Sequence, residues 1–386
     1  MIDILRRRRV VFVSALSFWL LGTGLLVADS RPFEMTPETA QLLRNGLSQM
    51  YNYEVDEADR TFDDLIRRFP DHPIGYMHKA ELIWWKALLD TKSEEFKETF
   101  RRFTEQALTK GKKALERNPR DFYALLYMAG AYGNQTRYNV YISKSYLGAL
   151  SPGIKGYKYI KSAQALRRDY VDCLIGVGAY NYFAGAVPSV IKPIAWMFYA
   201  PGNKAEGIRQ LEIVAAKGEF GQIEAKTVLL GIYLNEKRWA DYQKLTKELI
   251  KQFPLNPVFY SWLAAPFVTQ RRWDVGIQQF SELINNDNAN GWKAGLAYAF
   301  HQKGRLELEK RDLETAIKSF NQVLNKHSKN ENLLARTYLL RAYAHDLLGQ
   351  RNSALTDYQA TLNLPNVEDT HRKARQFLNK PYSGTR

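Results

Sequence analysis

Glu314-Thr-Ala316-Ile-Lys-Ser-Phe320-Asn-Gln-Val-Leu324 puts a small residue, an aromatic four positions on and an aliphatic four further on one helical face. Ala316 lets a neighbouring helix approach closely, and Phe320 and Leu324 fill the space beyond it. The same phrase recurs at Ala354–Tyr358, Gly276–Phe280 and Ala58–Phe62. A length of 386 residues by itself suggests two or three domains, but a recurring helical phrase overrides that prior and predicts a repeat array.

Working outward, the small residue of each second helix falls at Ala58, Ala107, Gly156, Gly207, Tyr242, Gly276, Ala316 and Ala354. The intervals are 49, 49, 51, 35, 34, 40 and 38 residues; the last four sit near the period of a helix–turn–helix unit, and the first three carry extra chain. In the first long unit the excess is the charged stretch Lys92–Gln106. Proline marks the junctions, because it cannot donate inside a helix but suits its first turn: Asn118-Pro119, Phe69-Pro70-Asp71-His-Pro73 and Phe253-Pro254-Leu-Asn256-Pro257. Asn285–Gly291 reads as another junction, rich in capping residues and without the alternating acids and terminal Glu of a calcium loop.

With these residues in place, the chain resembles the tetratricopeptide-repeat superfamily, whose signature is a small residue, an aromatic four on and a proline eight further. Ala58, Phe62 and Pro70 match it fully; Ala107 and Pro119 match with Gly111 in the aromatic position. Ala316 and Phe320 are followed by Ser328, and Ala354 and Tyr358 by Pro365, one position early. The resemblance covers most of residues 39–365 and implies an all-α, right-handed superhelix of seven or eight helical pairs. A weaker resemblance, over 171–257, is to the inclusion-body clearance family, carried by Gly176-x-Gly178 and by Pro201-Gly202-Asn203 leading to Gly207 and Leu211. It implies a non-catalytic, helical-repeat role.

The ends are read separately. Arg6–Arg9 precede Val10–Val27, a run without charge, which is the layout of a signal peptide or signal anchor over residues 1–30. This predicts export to a periplasm or cell envelope, with cleavage after Ser30 or retention in the inner membrane through residues 10–27. Residues 31–365 form the repeat domain, Thr370–Leu378 within 366–379 a capping helix, and 380–386 a flexible tail.

One stretch departs from the pattern. Residues 171–203 read as an irregular apolar insertion, with Pro188 and Pro193 interrupting a run whose only charge from Phe183 to Ala200 is Lys192. Apolar character all round suggests burial or a binding lip, with Tyr182, Phe183, Trp196, Phe198 and Tyr199 as partner-binding candidates. A second candidate group is Asn134, Arg137, Tyr138 and Tyr141, which share one helical face and suit clamping of an extended peptide.

No catalytic constellation emerges. The six histidines are scattered, and neither HExxH, GxSxG nor GxxxxGK[ST] is present. Cys173 is the only cysteine, so an intrachain disulfide is excluded. The net charge of +15, or +13 without the four Arg and two acids of residues 1–30, favours anionic partners. The reading is a non-catalytic exported scaffold for a protein or peptide partner, with no cofactor, no metal and no nucleic acid expected. The alternative is a binder of anionic envelope material or membrane surface through the basic balance and the 183–200 lip.

Overall fold

In a computed structural model, residues 33–186, 201–290, 295–327 and 330–384 are described, and among them every regular element is a helix. The helices come in consecutive pairs: α1 (Pro37–Tyr51) with α2 (Val55–Arg68), α3 (Ile74–Ala87) with α4 (Glu94–Arg117), and α5 (Phe122–Tyr141) with α6 (Tyr146–Leu166). They continue as α7 (Leu174–Gly185) with α8 (Lys204–Lys217), α9 (Gln222–Asn235) with α10 (Trp239–Gln252), and α11 (Pro257–Thr269) with α12 (Trp273–Asn290). The last are α13 (Leu296–Lys310) with α14 (Leu313–Gln322), and α15 (Glu331–Leu347) with α16 (Arg351–Leu362), followed by α17 (Thr370–Leu378).

The eight marker residues each fall in the second helix of a pair. The position four beyond each marker is buried throughout: Phe62, Gly111, Ile160, Leu211, Thr246, Phe280, Phe320 and Tyr358. A buried aromatic of this kind contributes about 1.5–3 kcal/mol through its removal from water. The facing first helix makes room for it by lacking a side chain. A Cβ on Gly46 would sit 2.5 Å from Phe62, and one on Gly304 would sit 2.6 Å from Phe320.

Five of the turns inside pairs are built alike. Tyr53, Lys237, Arg271, Arg311 and Gly349 adopt positive φ after a first helix. The next residue's N–H then reaches back over six residues to a helical carbonyl: Glu54 to Gln49 (2.8 Å), and Arg238 to Tyr233, Arg272 to Phe267, Asp312 to Glu307 and Gln350 to His345 (2.9 Å each). This is the Schellman arrangement, which satisfies the last carbonyls of the helix and reverses the chain.

Three expectations are corrected. Residues 171–186 are regular: a 3-10 turn at Val171–Cys173 leads into α7, which pairs with α8 as the other helices do. The reason is backbone proximity at Gly178 and Gly207, where a Cβ on Gly207 would lie 2.5 Å from the Tyr182 nitrogen. A helix that approaches its neighbour this closely is buried on more faces than a simple amphipathic stripe, which is why it read as irregular. The stretch beginning at Asn285 extends α12 to Asn290. The segment read as a flexible tail is held at Tyr382, which stacks on Tyr343 at 4.0 Å and donates its backbone N–H to Asp346 at 2.8 Å. Residues 1–32, the prolines at 188 and 193, and Trp196, Phe198 and Tyr199 lie outside the described residues. No described helix is long and apolar enough to cross a membrane.

The pairs also make contacts that sequence neighbours alone would not. Asn256, at the start of α11, donates its side-chain N–H to the carbonyl of Tyr51, at the end of α1, at 2.8 Å. Around it, the Tyr51 ring lies 5.8 Å from both Trp85 and Phe253, and Trp85 lies 5.6 Å from Phe259 and 5.8 Å from Trp262. The first pair therefore packs on the sixth, and one hydrophobic cluster runs from Leu43 to Leu306. An open solenoid, in which each repeat touches only its neighbours, does not do this.

Candidate functional site

Arg137 lies in the C-terminal half of α5 and points inward. Its guanidinium pairs with Glu224 of α9 at 2.5 Å and with Glu81 of α3 at 3.9 Å, and it stacks over the Trp84 ring at 4.2 Å. Asn134 accepts a hydrogen bond from Arg137 on one side and donates to the Met77 carbonyl at 3.3 Å on the other. His78 and Glu81 share a hydrogen bond of 3.1 Å one turn apart on α3. Three helices from three different pairs thus meet at a single guanidinium. Such a group withstands burial because its planar fork engages two carboxylates and an aromatic face together.

Two carboxyls face one cation here, and their proton affinities separate accordingly. Burial, partly offset by Arg137, raises Glu224 from the ordinary 4.5 to about 7. Glu81 is also raised by burial, but the His78 hydrogen bond, with the fields of His78 and Arg137, brings it below the usual carboxylate range. Glu224 therefore keeps its proton in the folded chain between pH 4.5 and 7, where the unfolded chain has released it. Its contribution to stability is present below the unfolded value and is lost as pH rises through 7. Stability is expected to fall between pH 5 and pH 8, by on the order of 1–3 kcal/mol from this group. Glu224→Gln should flatten that slope in urea titrations across this range. An unchanged slope would show that the proton resides elsewhere.

The other residues singled out from the sequence divide. Tyr138 is buried and stacks on Phe100 at 4.1 Å. Tyr182 is buried and donates its hydroxyl to Glu236 at 2.6 Å. Tyr141 and Phe183 are 40% and 50% exposed, at the C-terminal ends of their helices. So Asn134, Arg137, Tyr138 and Tyr182 have their polar or aromatic groups engaged inside the chain, while Tyr141 and Phe183 remain on the surface. The sequence reading missed Glu81, Glu224, Trp84 and Trp85, because a carboxylate distant in sequence carries no periodic signal.

A surface groove of about 290 Å³ lies between α2, α3 and α4. Its floor includes Ile83, Phe96 and Phe103, and its basic groups sit on those rings: Lys86 is 4.8 Å from the Phe96 centroid, and Arg102 4.8 Å and Lys79 5.3 Å from that of Phe103. Lys79 is buried and held by Asp59 at 2.6 Å and Asp63 at 2.8 Å. Lys86 and Arg102, over their aromatic supports, share the lining with Asp56, Asp59 and Glu95.

The family model for the tetratricopeptide repeat matches residues 42–72, the span from α1 through α2 to the turn before α3. Over that span the chain is similar to a single tetratricopeptide repeat. The matched span contains Ala58, Phe62 and Pro70, the one full copy of the signature. No curated protein sequence matches the chain. Among solved structures it is similar to yeast Tom70, at 12% identity, covering 89% of this chain and 82% of that one, with a TM-score of 0.35. It is also similar to the tetratricopeptide domain of P58(IPK), at 15% identity, covering 88% of this chain and 96% of that one, with a TM-score of 0.26. These comparisons give no support to the likeness with the inclusion-body clearance family. Among the helical pairs of this chain, the Arg137 centre ties α3, α5 and α9 together from inside, and the groove beside α4 stays open to solvent.

Proposed function

We propose that this chain is a non-catalytic protein-binding scaffold, exported to a bacterial envelope and built as a right-handed superhelix of tetratricopeptide pairs. The observation that carries the reading is the groove between α2, α3 and α4, in which Lys86 and Arg102 stand over aromatic rings at the surface. The groove is also lined by Asp56, Asp59 and Glu95, and this mixed charge with cations over rings suits an extended peptide segment of mixed charge, which it would hold by ion pairs and by contact with the ring faces. The Arg6–Arg9 cluster and the apolar run after it support export. Stacked helical pairs provide binding surface by shape, hydrogen bonding and charge alone.

The test is photo-crosslinking of the full chain in envelope extract. A crosslinker placed at Thr99 in the groove should give discrete adducts with one identifiable protein, absent when it is placed at Ser353 on α16. Lys86→Glu with Arg102→Glu should remove those adducts while leaving the helical circular dichroism unchanged. Equal labelling from both positions, or adducts indifferent to the charge reversals, would overturn the reading.

A further inference from the structure

The pair α5–α6 differs from the rest of the molecule in charge. Between Asp121 and Asp169 there is no Asp or Glu, while Arg137, Lys144, Lys155, Lys158, Lys161, Arg167 and Arg168 all fall inside that interval. Arg137 is neutralised internally, and Arg167 folds over the rings of Phe122 and Tyr170 at 4.8 Å each. The remaining cations include Lys144, Lys155, Lys158 and Lys161, all exposed.

The same helix exposes apolar side chains. Tyr146, Leu147 and Leu150, in the first turns of α6, are 69%, 83% and 52% exposed. At 100° per residue Leu147, Leu150, Ile154, Lys158 and Lys161 occupy one outward arc, with Lys155 at its margin. Ala149, Pro152, Ile160 and Ala163 line the buried side. The outer face therefore grades from leucine and tyrosine at its start to lysine at its end.

This apolar start is built into the fold. Ser145 caps the helix by accepting from the Gly148 N–H at 3.2 Å. Pro152 has no N–H to offer the Gly148 carbonyl, and Asn139 of α5 donates to it instead at 2.8 Å. The first turns are thus pinned to α5 with their leucines outward. Around them lie further exposed apolar groups at the ends of neighbouring first helices, Tyr141 on α5, Phe183 on α7 and Leu234 on α9. A Cβ on Gly231 of α9 would lie 2.7 Å from the Tyr141 hydroxyl, and Tyr182 of α7 reaches Glu236 just beyond α9, so these ends share one edge.

We infer that this edge, with the outer face of α6, docks on an anionic lipid bilayer. Exposed leucine and tyrosine side chains gain by entering the interfacial region, and an acid-free row of lysines complements anionic headgroups. A nucleic acid or an acidic protein surface would use the lysines but would leave Leu147 in water. The inference is independent of the groove beside α4, which lies on other helices.

The full chain with Leu147→Cys carries an environment-sensitive fluorophore at that position; Cys173 is fully buried and stays unlabelled. A second protein carries the label at Ser353→Cys, on exposed α16 surface. The probes are phosphatidylcholine vesicles with and without phosphatidylglycerol, containing a lipid-borne quencher. Quenching is expected at position 147, only with phosphatidylglycerol, weakened by salt, and absent at 353. Lys155→Glu, Lys158→Glu and Lys161→Glu together should lower partitioning about 100-fold, taking roughly 1 kcal/mol per lysine, with an unchanged thermal midpoint as the folding control. Equal signals at 147 and 353 would assign all membrane association to another part of the chain and overturn the inference. A label response to RNA but not to vesicles would overturn it as well.

Discussion

Replacing Arg137 with methionine is expected to lower the free energy of unfolding by about 3–5 kcal/mol at neutral pH, a large share of the stability of a domain. Methionine refills much of the volume over Trp84 but leaves Glu81 and Glu224 facing each other without a cation. The loss should shrink as pH falls, because protonation of Glu224 relieves the repulsion. Arg137→Lys should fall between, since it restores charge without the planar fork. The decisive comparison is the double variant Arg137→Met with Glu224→Gln, which should recover a good part of the loss. Chemical denaturation of the four proteins checks this, and a double variant no more stable than Arg137→Met would refute the charge argument.

The second large effect is expected at Asp172. Its carboxylate, 6% exposed, accepts the backbone N–H groups of Glu219 (2.9 Å), Phe220 (2.8 Å) and Gly221 (3.2 Å), just ahead of α9. Burial raises its proton affinity, and the three backbone donors pull it back. Asp172→Ala removes the acceptors and strands these donors at a buried helix start, at a cost of about 2–4 kcal/mol. Asp172→Asn keeps one carbonyl oxygen and should cost less than alanine. Amide exchange at residues 219–221 should accelerate more than at α16 in the alanine variant. Uniform acceleration through the chain would mean that Asp172 supports the fold in general rather than this junction.

Both positions show what was and was not legible. Ala58 with Phe62 and Ala316 with Phe320 could be read as helix-packing pairs because their spacing follows the 3.6-residue turn. The junctions at Pro70, Pro119 and Pro257 were legible because proline restricts its own backbone. Even the weak markers Gly156 and Tyr242 landed in second helices, since the array keeps its rhythm where a single copy of the signature fails. Asn134 and Arg137 were picked out as a shared face, and they do share one, but the face turns inward. A helical wheel gives the arc of a residue without giving what lies opposite.

The sequence by itself determined the helices, their pairing and the phase of the repeat, because these depend on contacts within a few turns of chain. Tertiary structure alone decided that Tyr51 receives Asn256, that Arg137 stands between Glu81 and Glu224, and that Leu147 and Leu150 stay in solvent. Those outcomes depend on which pair meets which after several units have stacked. The small rotation at each Gly- or Ala-lined crossing sets that meeting, and it accumulates along the array without leaving a mark at any one residue.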